Sequence, residues 1–327
     1  MIVERFDVHL PAAPLDGCTE PPARLPAAPA GPLATTLAAL FPVQRELRGG
    51  STSSVYLTRE GTPPRPVVLK ALLTGDARAG DRERFRREVE LTSAMRHPNI
   101  VPVLSAGQVG EVSYYTMPYL EGESLRERLL RGPLPVHEAL RIARELALAL
   151  QHAHEQGVVH RDVKPGNIVL AGGSPVLVDF GIAMRMGAAA GERITIAGLL
   201  VGTPIYMSPE QSLGDDAVDG RVDIYALGCV LHEMLTGVPP FRGREDVVLC
   251  RRLREPAPRP GRIRGELSRR VDVVVERALA PLPEDRYRTA TELGAALEWA
   301  ARCPIRGSAW HEAMLDTVSS AFTRARA

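Results

Sequence analysis

The chain has 327 residues, 45% of them apolar and 24% charged, and a formal net charge of +1. That is enough sequence for one large two-lobed domain or two ordinary ones, with the composition of a well-cored soluble protein. A charge this close to zero favours neither nucleic acid nor an anionic membrane as a bulk partner. The four cysteines, Cys18, Cys229, Cys250 and Cys303, are scattered without a C-x-x-C pair, which suggests neither a zinc site nor a disulfide framework and fits a reducing compartment. No apolar run is long enough to span a bilayer, and MIVERFDVHL places acids where a signal peptide has its apolar core.

Phe6, Val8 and Leu10 alternate with Asp7 and His9 as in a short strand. From Pro11 to Pro32, proline and alanine dominate, and residues 1–39 read as a poorly ordered or extended tail; a docking or self-inhibitory arm stays open as the other reading. A domain then begins near Leu40. Val43–Leu47 and Val55–Thr58 read as strands around RGGSTSS, a tip of small residues where backbone N–H groups can approach an anion closely. Pro66–Lys70 reads as the next strand. Asp81–Met95 has helical spacing, with Phe85, Val89 and Thr92 on one side and Glu88 among its charges.

Val112–Leu120 is strand-like, and Val136–Gln156 is a long helix with Leu140, Ala143, Ala147, Leu150 and Ala153 on one stripe. The stretch 159–181 reads VHRDVKPGNIVLAGGSPVLVDFG: two acids, Asp162 and Asp179, with Lys164 and Asn167 between them and two short apolar strands before the second acid. The loop after it, rich in glycine and alanine, closes at SPE with Glu210. Val222–Gly237 is a strongly apolar helix with Asp223 at its start, ended by VPPF. PEDRYRTATEL contains Arg286, and Trp310, Met314, Leu315, Val318 and Phe322 fall at helical spacing in 301–327. That last helix would pack on the domain or bind a partner.

HRD, then Asn after four residues, then DFG after a strand, resembles the bacterial eukaryotic-like (Hanks-type) serine/threonine protein kinase family. The resemblance runs from about Leu40 to about Ala300. It implies an α+β, bilobal protein kinase fold: a small β-rich N-lobe with one main helix (40–117), a hinge (118–121) and a larger helical C-lobe (122–300). It also implies transfer of the γ-phosphoryl group of ATP, with Mg²⁺ (or Mn²⁺ in its place), to Ser/Thr hydroxyls of protein substrates, autophosphorylation included. By the same resemblance Asp162 is the catalytic base, Lys164 contacts the γ-phosphate, and Asn167 and Asp179 hold the metal, whose preference for oxygen ligands agrees. Lys70 contacts the α- and β-phosphates and pairs with Glu88.

The nucleotide pocket implied is formed by Leu47, Gly50, Ser53, Val55, Val68, Lys70, Met117, Pro118, Leu120 and Val169. Val55 and Val169 sandwich the base, Met117 guards the back, and Pro118 and Leu120 offer backbone groups to adenine. Arg48 and Ser53 stand where the glycine-rich loop has its first and third glycines; Arg48 removes flexibility and adds a cation. Thr203 is implied to dock the substrate, Asp223 to fix the catalytic-loop backbone, and Glu210 to pair with Arg286. Arg161 before the base implies activation by phosphorylation, with Thr195 the mid-loop hydroxyl placed to carry it. The reading is cytoplasmic, with the oligomeric state open. Two rivals remain: a pseudokinase that binds nucleotide or partners without transfer, and a small-molecule phosphotransferase of similar fold.

Overall fold

The computed structural model describes residues 3–6, 36–37, 40–48, 53–73, 79–180, 204–215 and 218–305. Gly50, Thr195, Thr203 and the helix expected beyond Ile305 lie outside the described residues. The chain divides into two compact units: Met1–Leu125 with His152–His160 and Gly166–Val201, and Arg126–Gln151 with Arg161–Pro165 and Gly202–Ala327.

The first unit is built on a six-stranded antiparallel sheet in the order β1-β5-β6-β4-β3-β2. Its strands are β1 (Val3–Phe6), β2 (Arg45–Arg48), β3 (Ser53–Glu60), β4 (Arg65–Leu73), β5 (Ser105–Val109) and β6 (Val112–Pro118). Side chains alternate across a strand, so β4 and β6 each supply two faces. Leu69 and Ala71 with Val112 and Tyr114 pack on Leu37, Phe41, Tyr56 and Val109. Val68 and Leu72 with Tyr115 and Met117 pack on the opposite side, against Phe85 and Val89 of helix α1 (Ala79–Ala94). Lys70 belongs to this second face by parity. Phe85, Val89 and Thr92 are each buried to 3% exposure or less, the stripe that anchors α1 to the sheet.

A smaller sheet, β7-β8-β9, joins Gly122–Ser124, Ile168–Ala171 and Ser174–Leu177. Of residues 1–39, Val3–Phe6, Thr36 and Leu37 are described; Val8, Leu10 and the proline-rich stretch lie outside the described residues. The strand lies at Val3–Phe6, paired with Val109–Ala106 of β5, and Leu37 is fully buried in the core. The backbone of Val3–Phe6 finds an open sheet edge and Leu37 an apolar cluster, and the surrounding composition does not reveal either partner.

The second unit is helical: α2 (Val136–Glu155, most of which lies here), α3 (Arg221–Thr236), α4 (Glu245–Arg254), α5 (Arg269–Ala278) and α6 (Ala290–Ala301). α3 is buried on nearly all sides, as an all-round apolar helix must be. A Cβ at Gly228 would lie 3.0 Å from Ala278 Cβ and 3.1 Å from Leu279 Cδ2, so glycine here sets how closely α3 and α5 approach. Gly237 ends α3 at φ +78°, where a side chain would be strained. Among the described residues, no helix is long and apolar enough to cross a membrane.

Arg286 is the polar centre of this unit. Its side chain is fully buried, and its two terminal nitrogens donate to Glu210 Oε1 and Oε2 at 2.6 and 2.8 Å. Removing one partner of a buried pair costs about 3–5 kcal/mol. Arg286→Ala is therefore expected to lower the melting temperature by roughly 10 °C. A thermal melt unchanged within about 2 °C, less than a 1 kcal/mol loss would produce, would contradict the central role given to this pair.

Candidate active site

The first unit gathers one group of predicted site residues around Asp179. Lys70 Nζ lies 3.0 Å from Asp179 Oδ1, both side chains largely buried. The Tyr115 hydroxyl donates to the same oxygen at 3.2 Å. Burial alone would push the Asp179 carboxyl up. The Lys70 ammonium, hydrogen bonds from Lys70 and Tyr115 and the charge of Arg48 outweigh it and hold the carboxyl below its ordinary value. Asp179 is therefore an ionised, fixed carboxylate. Asn167 is buried to 2% exposure, and its backbone carbonyl accepts from Val178 N–H at 3.0 Å, which ties the two oxygen-bearing residues through one backbone bond. A carboxylate and an amide carbonyl suit a hard divalent cation such as Mg²⁺.

Asp179 stands at φ +61°, a left-handed conformation that costs a non-glycine residue about 1–2 kcal/mol. The contacts beside it hold that geometry. His160 is fully buried, with a ring nitrogen 3.2 Å from Val178 O and its ring 4.5 Å from that of Phe180. Of the pocket residues, Met117 is buried, and Val68 and Leu120 are partly buried against the same cluster as Tyr115. Pro118 is buried, Ser53, Val55 and Val169 are half-exposed, and Leu47 is exposed. Glu88 is half-buried on α1, and the ion pair that Lys70 displays is with Asp179.

Arg48 is exposed at the end of β2, yet its guanidinium points inward. A Cβ at Gly166 would meet Arg48 Nη2 at 3.7 Å, and the same charge reaches Asp179.

The second unit carries the other group. Lys164 Nζ donates to Asp162 Oδ2 at 2.6 Å. Arg161, at φ +66°, donates its backbone N–H to Asp223 Oδ1 at 2.7 Å, and its carbonyl accepts from Gln211 Nε2 at 3.0 Å. Asp223 is fully buried at the start of α3. The segment that Thr203 opens is held further along: Tyr206 donates to Glu233 at 2.6 Å, and Arg252 Nη2 to Ile205 O at 3.0 Å. Tyr115, Gln211 and Arg252 are polar residues of these groups that sequence reasoning passed over. None of the three carried a usable signal in the sequence; for Tyr115 it is the register opposite Lys70 that reveals the role.

A sequence model of the protein kinase domain matches residues 41–294. The serine/threonine-protein kinase PknB of Mycobacterium tuberculosis is 42% identical over 257 residues, 76% of this chain and 41% of the relative. PknH of Mycobacterium bovis is 39% identical over 261 residues, 78% of this chain and 43% of the relative. The chain thus spans about two fifths of the length of these curated relatives. Among solved structures, the kinase domain of Mycobacterium tuberculosis PknI aligns with a TM-score of 0.62 at 31% identity, over 79% of this chain and 95% of that one.

The inward course of Arg48 fixes the direction of a test. Arg48→Gly is expected to raise KM for ATP several-fold by removing a cation from the phosphate side, with the effect shrinking at high salt because the residue is exposed. Melting should not change. An unchanged or lower KM for ATP would show that the guanidinium contributes nothing to nucleotide binding.

Proposed function

The chain belongs to the protein kinase domain family, and we propose that it is an ATP-dependent protein serine/threonine kinase acting in the cytoplasm. The observation that carries this reading is the contact of Lys70 with Asp179 at 3.0 Å, with Asp179 joined through Val178 to Asn167.

In the reaction proposed, the oxygen of a Ser or Thr hydroxyl bonds to the γ-phosphorus of ATP, and the bridging β–γ P–O bond breaks. Its electron pair leaves with ADP, and the hydroxyl proton passes toward Asp162. Lys164, hydrogen-bonded to Asp162, orients that carboxylate and offers a cation to the transferring group. Lys70 orients the α- and β-phosphates, and Glu88 on α1 supports it. Asn167 and Asp179 would hold Mg²⁺, or Mn²⁺ in its place; when bound, the metal offsets the charge of the phosphates. Val55, Val68, Met117, Pro118, Leu120 and Val169 would enclose the base. The serine/threonine preference is supported by Lys164, by Thr203 in the sequence and by the relatives, which are serine/threonine-protein kinases by name. The cytoplasmic assignment is supported by the free cysteines Cys229, Cys250 and Cys303.

Purified protein with labelled ATP, Mg²⁺ and a generic basic protein acceptor tests the activity. Wild type should label the acceptor, and Asp162→Asn should lose at least about a hundred-fold, since a positioned general base contributes roughly 10²–10⁴. Equal labelling by both would remove Asp162 from the reaction; no labelling by either, with ATP still bound, would favour the nucleotide-binding pseudokinase.

Thr195 and Arg161 belong to the same proposal as its regulatory pair. A phosphate adds about −1.5 to −2 charges and can order a loop against an arginine. Mass spectrometry should find phosphate on Thr195 of the active protein, and Thr195→Ala should slow turnover. Full activity in an alanine variant free of phosphate between residues 181 and 203 would remove Thr195 from activation.

A further inference from the structure

Tyr115 has the composition of a core residue and the position of a site residue. Lys70 on β4 is the direct cross-strand partner of Tyr115 on β6, so the two side chains leave the same face side by side. The ring is buried to 2% exposure among Phe85, Val89 and Met117, and Lys70 Nζ stands 5.9 Å from its centroid. From that seat the hydroxyl donates to Asp179 Oδ1 at 3.2 Å, the oxygen that Lys70 meets at 3.0 Å. Two donors rooted in adjacent strands therefore converge on one carboxylate oxygen.

We propose that the Tyr115 hydroxyl is a positioning residue for the divalent cation: it commits Asp179 Oδ1 to the sheet and so presents Oδ2 to the metal. This rests on the kinase reading for the identity of the metal site. A carboxylate held by one flexible ammonium can rotate and exchange its oxygens. A second donor on a rigid aromatic ring, a little off the first, removes that freedom. Mg²⁺ demands near-ideal geometry from its ligands, so the gain from a fixed oxygen is large. The ring also packs on Phe85 and Val89 of α1, which links the orientation of Asp179 to the helix that carries Glu88.

Tyr115→Phe keeps the ring and removes only the donor. Mg²⁺ binding to the full chain is measured by calorimetry with a non-hydrolysable ATP analogue present, beside the Mg²⁺ dependence of the rate. The variant should bind Mg²⁺ roughly ten-fold more weakly, the size expected for a lost hydrogen bond to a charged group. Saturating Mg²⁺ should restore kcat to within about three-fold, since only metal positioning has changed. Analogue binding without metal and the melting temperature should match wild type. Unchanged or tighter Mg²⁺ binding overturns the proposal, as does a rate deficit that Mg²⁺ does not restore. Wild type that binds Mg²⁺ and the analogue but transfers nothing would refute the kinase reading while the calorimetric comparison still decides Tyr115.

Discussion

An ammonium and a carboxylate 3.0 Å apart, with side chains 13% and 14% exposed, are the interaction on which the first unit's chemistry depends. Withdrawing two charges from water costs several kcal/mol for each ion, and the Coulomb attraction offsets this only with good geometry and further hydrogen bonds. Both conditions come from the sheet. Val55, Lys70, Tyr115 and Ala106 are successive cross-strand partners, so one row sets the ammonium, the phenol and the small neighbours around them. A one-residue slip of β4 would send Lys70 to the other face, among Leu69's partners, and leave Asp179 with the phenol as its nearest strand donor. The register of β4 on β6 is thus also the specification of the site.

Backbone strain is placed where these residues need it. Arg161 and Asp179 are the non-glycine residues at positive φ among those described, one in each unit. Such conformations persist only where the surroundings over-determine them. For Arg161 the buried Asp223 takes the N–H and Gln211 supplies the carbonyl's donor. For Asp179 the neighbouring Val178 N–H is bound by Asn167, its carbonyl lies beside His160, and the carboxylate is held by Lys70 and Tyr115.

What could be read in advance divides along physical lines. The short apolar run Pro66–Lys70, helical spacing at Phe85, Val89 and Thr92, and the strongly apolar Val222–Gly237 are local patterns, and an element forms over each of them. The acid pair Asp162 and Asp179 was legible because motif order is written along the chain. Tyr115 was not, because an aromatic between Tyr114 and Thr116 looks like packing until the register puts Lys70 opposite it. Ser-Ala-Gly-Gln-Val at 105–109 carries no local strand pattern, yet it is a strand because β6 and β1 pair with it on both sides. The inward direction of Arg48 is a matter of side-chain torsions, which composition does not encode.

The second unit solves a different problem, that of irregular chain passing through a buried place. Loops there carry carbonyls that no helix or strand satisfies, and each one left alone would cost about 1–3 kcal/mol. Arg286 answers with all five of its N–H groups: two to Glu210, and the others to the carbonyls of Ala280, Arg221 and Pro281. Arg252, buried to 1% exposure, donates likewise to the Ile205 carbonyl, and also to the Ser212 hydroxyl. The ring of Tyr225 lies beside both guanidiniums, at 4.9 Å from Arg286 and 6.0 Å from Arg252, so their flat faces meet a π surface. Lysine could supply the charge in either place but has three donors on a point, without the planar fork that reaches separate carbonyls at once. The requirement for arginine here therefore follows from the number and spread of backbone acceptors, and the charge itself is secondary.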